Sequence, residues 1–129
     1  MNYGILNLVC IGAGGFIGAV SRYLVSCAVL RHFPSAINLG TLCVNVLGSL
    51  VIGLIFSVTL YTAPVYLKNL AVAGFLGGFT TFSTFSLDSF KLILQGSFAS
   101  AVLYIALNLI LGIAACALGY YCGRHLLHL

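Results

Sequence analysis

Long apolar stretches constrain this chain more than any motif that it carries. Of its 129 residues, 62% are hydrophobic and 5% are charged, with one acid against five Lys and Arg. A soluble domain usually carries about 25% charged residues, so this chain could not build a water-facing surface. A spanning helix takes roughly 20 mostly apolar residues, and about four such helices use up the whole length. The sequence predicts an integral protein of the lipid bilayer with no room for a soluble domain.

Turn signals divide the apolar sequence into four spans of one all-α transmembrane domain. Pro34 lies in the first predicted turn, Pro64 in the second and Gly96 in the third. Because sequence patterns place helix ends only within a few residues, the predicted spans are about 3–30, 37–61, 66–94 and 98–122. Small residues four apart predict close helix packing, since lipid supplies no hydrophobic drive between helices. These pairs are Gly14 and Gly18, Gly74 and Gly78, and Gly119 and Gly123.

Positive charge is balanced between the two sides of the membrane. Four spans put the termini and the middle loop on one side, which holds Lys68 and Arg124, and leave Arg31 and Lys91 on the other. Lys and Arg normally accumulate on the cytoplasmic side and set the orientation. Equal numbers give no direction, which predicts dual topology, with copies inserted both ways and able to pair antiparallel. The open alternative is that Arg22 or a histidine tips the balance.

The centre of the third span, residues 74–86, is rich in glycine and hydroxyl groups. Two adjacent glycines, Gly77 and Gly78, precede a run of Thr, Phe and Ser, a composition that invites a helix to open. Transporters use such breaks to aim carbonyls at cations and helix N-termini at anions. A break within residues 77–81 would create an ion site from main-chain atoms. The alternative is an unbroken helix whose hydroxyls bond to the preceding turn.

Phe82 and Phe85 lie three residues apart, on one face of the half-helix that would follow such a break. A phenyl ring is positive at its edge, so it can meet a poorly hydrated anion, although aromatic packing is the ordinary interpretation. Uncharged donors inside the spans favour a path for a small anion, because binding must be weak enough for exit. These donors are Thr41, Asn45, Ser49, Thr80, Thr81, Ser83, Thr84, Tyr104 and Asn108.

Two ionisable residues lie inside the predicted spans, where a charge is costly and usually paired or functional. Arg22 comes late in the first span and Asp88 late in the third. Either side chain could snorkel to the membrane interface. The interpretation that we favour places Arg22 near a vestibule, where it draws anions in.

Three motifs resemble those of the CrcB/Fluc fluoride channels, in the right order and over essentially the whole chain. They are GGFTTFSTFS at residues 77–86, GFIGAVSRY at 15–23 and GTLCVNVLG at 40–48. The resemblance implies a fluoride channel that exports fluoride and lowers its cytoplasmic concentration. It also implies a cell (inner) membrane location, an antiparallel dual-topology homodimer with two pores, and a third helix broken at its centre.

The resemblance also implies roles for single residues, carried over by motif position. Gly77 and Thr80 would offer backbone carbonyls to a structural sodium ion at the dimer centre. Phe82 and Phe85 would line the pores edge-on, and Asn45 would donate its amide to fluoride. The other implied positions are Thr41, Thr81, Ser83, Tyr104 and Asn108 along the pathway and Arg22 towards a vestibule. The family commonly has Glu where this chain has Asp88, which puts the contacts of that shorter carboxylate in doubt.

Other classes of protein fit the sequence less well. A small multidrug exporter needs an acid at mid-membrane, but the single acid, Asp88, lies late in its span. An assembly subunit would need only the glycine packing and leaves the uncharged donors unexplained. No nucleophile–base pair, metal-ligand cluster or phosphate loop indicates an enzyme. The bases are scattered along the chain, so no nucleic-acid partner is expected.

Overall fold

A computed structural model describes residues 4–59 and 63–126 of the chain. In these residues the regular structure is helical, with no strand, and four spans are long and apolar enough to cross a membrane. The elements are α1 (Ile5–His32), α2 (Leu39–Thr59), α3 (Val65–Lys68), a π-helical segment (Asn69–Leu76), α4 (Gly77–Phe79), α5 (Phe82–Leu94) and α6 (Phe98–Leu126). The third span comprises α3, the π-helical segment, α4 and α5. The predicted all-α, multi-pass membrane architecture is confirmed.

The first and last helices extend further than hydropathy predicts. α1 ends at His32 and α6 is described to Leu126, each beyond its predicted span. Both last turns contain basic side chains, which interact favourably with the negative end of the helix dipole. Helix formation therefore continues past the apolar sequence. The predicted start of the first span at Tyr3 and the predicted end of the second at Tyr61 lie outside the described residues.

α2 begins at Leu39, two residues later than predicted, because Asn38 caps it. The Oδ1 of Asn38 accepts the backbone N–H of Thr41 at 3.0 Å, which satisfies one free donor of the first turn. The Nδ2 of Asn38 donates to Oδ2 of Asp88 at 2.7 Å. Nζ of Lys91 lies 4.0 Å from the other carboxylate oxygen of Asp88. The single acid of the chain therefore ties the start of α2 to α5.

Glycine lets the helices approach each other backbone to backbone. α1 packs along the π-helical segment and α4, and α2 packs along α6. At the glycines of these contacts, an added Cβ would collide with the backbone or a side chain of the facing helix. The collisions are Gly14 with Leu70 O, Gly18 with Phe75 O, Gly74 with Ile11 O, Gly78 with Gly15 O, Gly119 with Leu50 O and Gly123 with Ser57 Oγ. The close packing predicted from the small-residue pairs is confirmed.

Two glycines of α1 provide a matched test of this close approach. We expect Gly14→Ala to lower the free energy of unfolding by about 1–3 kcal/mol, because its Cβ would meet the carbonyl oxygen of Leu70. Gly12→Ala should be neutral or slightly stabilising, since nothing lies within 4 Å of its Cβ and Ala favours a helix. Thermal unfolding in detergent measures both, and equal midpoints would contradict the packing.

Candidate functional site

The third span is interrupted by two residues of extended backbone. α4 ends at Phe79 and α5 begins at Phe82. Between them, Thr80 has φ −85° and ψ 159°, and Thr81 has φ −150° and ψ 119°. Gly77 is helical, with φ −61° and ψ −35°, so the interruption is shorter than the predicted stretch of residues 77–81. The interruption therefore lies within the predicted stretch, at its two threonines and not at its two glycines.

Of the two glycines before the interruption, Gly78 serves helix packing and Gly77 does not. Gly78 faces α1, where an added Cβ would lie 2.6 Å from the carbonyl oxygen of Gly15. Gly77 is exposed, and its Cβ would have only Val72 O within 4 Å, at 3.7 Å. Glycine at 78 is thus required by the neighbouring helix, and neither glycine needs a special backbone conformation.

Threonine hydroxyls hydrogen-bond main-chain groups at the end of α4 and at the start of α5. Thr80 Oγ1 and Thr80 N–H both donate to the carbonyl of Leu76, at 2.9 and 3.0 Å, so both donors of Thr80 are satisfied where α4 ends. Thr81 Oγ1 accepts the backbone N–H of Thr84 at 3.2 Å and lies 3.3 Å from Oγ of Ser83. An N-cap residue of this kind adopts extended dihedral angles, so Thr81 itself starts α5.

Asn45 of α2 holds the main chain of the interruption with both polar atoms of its side chain. Its Oδ1 accepts the N–H of Thr81 at 2.9 Å, and its Nδ2 donates to the carbonyl of Thr81 at 3.2 Å. In an unbroken α-helix, that N–H would donate to the carbonyl of Gly77. The Nδ2 of Asn45 also donates to Oδ1 of Asn108 at 3.0 Å. Asn45 therefore replaces the missing helical partner, and both of its N–H groups are engaged.

Arg22 reaches the interruption from α1. Its Nη1 lies 3.5 Å from the carbonyl oxygen of Thr80, at the outer limit of a hydrogen bond. The guanidinium and the N-terminus of α5 both contribute positive charge here. The polar crevice of about 220 Å³ around Arg22 is also lined by Ala19, Tyr23, Ser26, Asn38, Thr41, Thr81 and Thr84. Arg22 thus shares one crevice with Thr41 and Thr81 of the predicted pathway, an arrangement suited to attracting an anion.

A second cavity, of about 370 Å³, also borders the interruption. Its lining includes Gly77 and Thr80, the two residues predicted to offer carbonyls to sodium. The carbonyl of Gly77 has lost its helical donor to Asn45, as described above, whereas that of Thr80 faces Arg22. The other lining residues are Asn45, Gly48, Ser49, Ile52, Val72, Leu76, Thr81 and Phe82.

Three aromatic rings lead from the surface of the bundle to its core. The centroids of Phe82 and Phe85 are 5.5 Å apart, and those of Phe85 and Tyr104 are 5.7 Å apart. Phe82 is 76% exposed, whereas Phe85 is 8% exposed and Tyr104 is fully buried. The two phenylalanines therefore touch, but they lie in different environments.

Tyr104 and Asn108 contribute buried polar groups from α6. The Oη of Tyr104 has no hydrogen-bond partner among the described residues, although the side chains of Thr41 and Asn108 lie beside it. Nδ2 of Asn108 donates to the carbonyl of Tyr104 at 3.0 Å. A buried hydroxyl without a partner is unfavourable, so the Tyr104 O–H is a donor that a small anion or a water could use.

Two asparagine contacts of the structure were not predicted from the sequence. Asn38 stands directly before an apolar helical run, which is the usual signal for an N-cap, yet its bond to Asp88 depends on the fold. The motif of α2 implies for Asn45 only the role of a donor to fluoride. No pattern in one sequence indicated that it would bind the main chain of Thr81, because the two residues lie 36 positions apart.

Comparison with known proteins adds to this geometry. The family model described as "CrcB-like protein, Camphor Resistance (CrcB)" matches residues 9–120. A relative from Campylobacter jejuni (strain 81-176) is 45% identical over 119 residues, covering 91% of this chain and 93% of the relative. Relatives from Magnetococcus marinus and Hydrogenovibrio crunogenus are 42% and 37% identical, over 92% and 95% of this chain and 98% and 95% of their own lengths.

All three relatives are named fluoride-specific ion channel FluC, a name that describes a channel and not an enzyme. The family match and the identities both extend over most of the sequence, including the interrupted third span. The resemblance seen in the three motifs is therefore confirmed, and the chain belongs to the CrcB family.

Proposed function

We propose that this protein is the subunit of a fluoride-selective channel that lets fluoride leave the cell and lowers its cytoplasmic concentration. The observation that carries the proposal is the name fluoride-specific ion channel on relatives 37–45% identical over nearly the whole chain. The site fits this chemistry because it offers uncharged hydrogen-bond donors. Such donors stabilise a small anion without holding it as tightly as a buried cation would.

The proposed path starts in the polar crevice. Arg22 and the N-terminus of α5 attract fluoride there, and the hydroxyls of Thr41 and Ser83 can replace water around the ion. The hydroxyl of Thr81 can do so only by giving up its present acceptor, Oγ1 of Thr84 at 3.1 Å. The buried O–H of Tyr104 is the next donor inward. Each donor carries only a partial charge, so fluoride can exchange from one to the next.

The aromatic and amide groups complete the proposed path. The rings of Phe82 and Phe85 can present positive edges to fluoride, and Phe85 leads towards Tyr104. Asn45 can donate to fluoride only if the ion takes the place of one present acceptor, Thr81 O or Asn108 Oδ1. Asn108 thus belongs to the proposed pathway as the neighbour that fluoride would displace.

The channel is proposed to be an antiparallel homodimer of dual topology. One bundle leaves Phe82 largely exposed and the cavity beside Thr80 open, so a second copy would be needed to enclose a path. The four loop-side cations are divided equally between the two membrane faces, which supports insertion in both directions. The membrane is proposed to be the cell (inner) membrane.

A structural sodium ion at the dimer centre is part of the proposal. The Gly77 carbonyl, freed from its helical bond, suits a hard cation, and a second copy would double the number of oxygens. The Thr80 carbonyl fits less well, because the Arg22 guanidinium already faces it. Fluoride flux and dimer stability in sodium and in N-methyl-D-glucamine test the ion's role. Equal values in the two would remove sodium from the proposal.

The central test is ion flux from liposomes. We expect the purified protein to pass fluoride and to exclude chloride strongly, because the donors are uncharged and the passage lies between packed rings. Ion-selective electrodes measure both anions, with protein-free liposomes as the control. Fluoride efflux no faster than this control would contradict the channel.

Single substitutions test the proposed pathway. Asn45→Asp replaces the donor Nδ2 with a carboxylate oxygen that faces Thr81 O and Asn108 Oδ1, so we expect about a tenfold or greater loss of flux. Phe82→Ile removes the ring edge and should also reduce flux. Phe90→Ile is the matched control, because Phe90 is a 56% exposed phenylalanine on the same helix. Cross-linking checks that the dimer persists; normal flux in both pathway variants would remove these residues from the path.

Dual topology is tested with C-terminal reporters that are active on only one side of the membrane. We expect signal from both reporters, because the cations give no orientation. As a control, the double variant Gln95→Lys and Ser97→Lys adds two charges to one short loop and should favour a single orientation. One-sided signal from the wild-type chain would contradict the proposal.

A further inference from the structure

We infer that Asn108 is a positioning residue, which keeps the side-chain amide of Asn45 on the main chain of Thr81 and so fixes where the third span is interrupted. The inference deepens the proposed function and rests on it only where ion flux is the readout. It gives Asn108 a role that acts through Asn45, in addition to its place beside the proposed path.

The hydrogen-bond network leaves the Asn45 amide one orientation. Thr81 presents a donor and an acceptor, its own N–H and C=O, and these can be matched only by Oδ1 and Nδ2 respectively. A flipped amide would place N–H against N–H and oxygen against oxygen. The second hydrogen of Nδ2 then needs an acceptor of its own, and Oδ1 of Asn108 provides it at 3.0 Å.

Asn108 is oriented in turn by its own helix. Its Nδ2 donates to the carbonyl of Tyr104, one turn earlier, so its Oδ1 is left to face Asn45. Asn108 is 8% exposed, which keeps water from competing for that oxygen. The result is a chain of polar contacts from α6 through α2 to the interruption, in which each amide determines the orientation of the next.

The alternative is that Asn108 contacts fluoride directly and leaves Asn45 unaffected. One Nδ2 hydrogen of Asn108 remains beyond the bond to Tyr104, so direct donation is chemically available. The two roles predict different behaviour of the Thr81 amide. Only the positioning role connects a change at residue 108 to a main-chain group on another helix.

Hydrogen exchange of the Thr81 amide, followed by NMR on the full chain in lipid nanodiscs, is the first test. We expect Asn108→Leu to speed this exchange about tenfold. Loss of the Asn45–Asn108 hydrogen bond should weaken the two hydrogen bonds from Asn45 to the main chain of Thr81. Leu109→Ala, an exposed neighbour on α6, is the control and should leave the exchange unchanged. Unchanged Thr81 exchange in Asn108→Leu would overturn the inference. If that variant does not fold, Asn108→Ser replaces it, because its shorter side chain cannot reach Asn45.

A double-variant cycle of fluoride flux is the second test. If Asn108 acts through Asn45, the double variant Asn45→Ser with Asn108→Leu should conduct like Asn45→Ser alone. If the fold-losses of flux in the two single variants multiply in the double variant, Asn108 acts on fluoride independently of Asn45, and the inference would be overturned. Absence of fluoride flux in the wild-type chain would instead refute the proposed function, and the exchange measurement would still decide the role of Asn108.

Discussion

Main-chain hydrogen bonding inside the membrane is the constraint on which the rest of this structure depends. Hydrocarbon provides no partners, so each unsatisfied backbone group costs several kcal/mol. An interruption of the third span therefore requires side chains that replace the lost bonds. Asn45 does so for both polar groups of Thr81, and the Thr81 hydroxyl does so for Thr84. These substitutes allow two residues to be extended and leave the Gly77 carbonyl without its helical donor.

Close packing of α1 against the third span determines what surrounds this interruption. Gly18 and Gly78 allow the two backbones to touch, which carries Arg22 to the carbonyl of Thr80. A guanidinium within a span is costly unless polar groups receive it. The crevice lined by Asn38, Thr41, Thr81 and Thr84 provides such groups. Glycine packing and the position of positive charge are thus parts of one arrangement.

Much of the fold, and part of the site, followed from the sequence. Hydropathy predicted the four spans, and the uncharged donors pointed to the region that the structure brings together. Composition predicted the stretch in which the helix opens but not which of its residues do so, because glycine signals both flexibility and close packing, and only the position of α1 decides between them. Periodicity placed Phe82 and Phe85 on one face but could not reveal that only Phe85 meets Tyr104. Contacts such as Asn45 with Thr81 require the folded arrangement of separate helices.

The exposure of Phe82 has a consequence for assembly. In water a bare phenyl ring of this kind would promote aggregation, but in lipid it is solvated as well by acyl chains as by protein. A newly inserted chain can therefore persist alone in the bilayer without a strong drive towards misassociation. If partners of opposite orientation are needed, each chain has time to diffuse laterally until it meets one. The same ring that would complete a path is thus tolerated during the search for a partner.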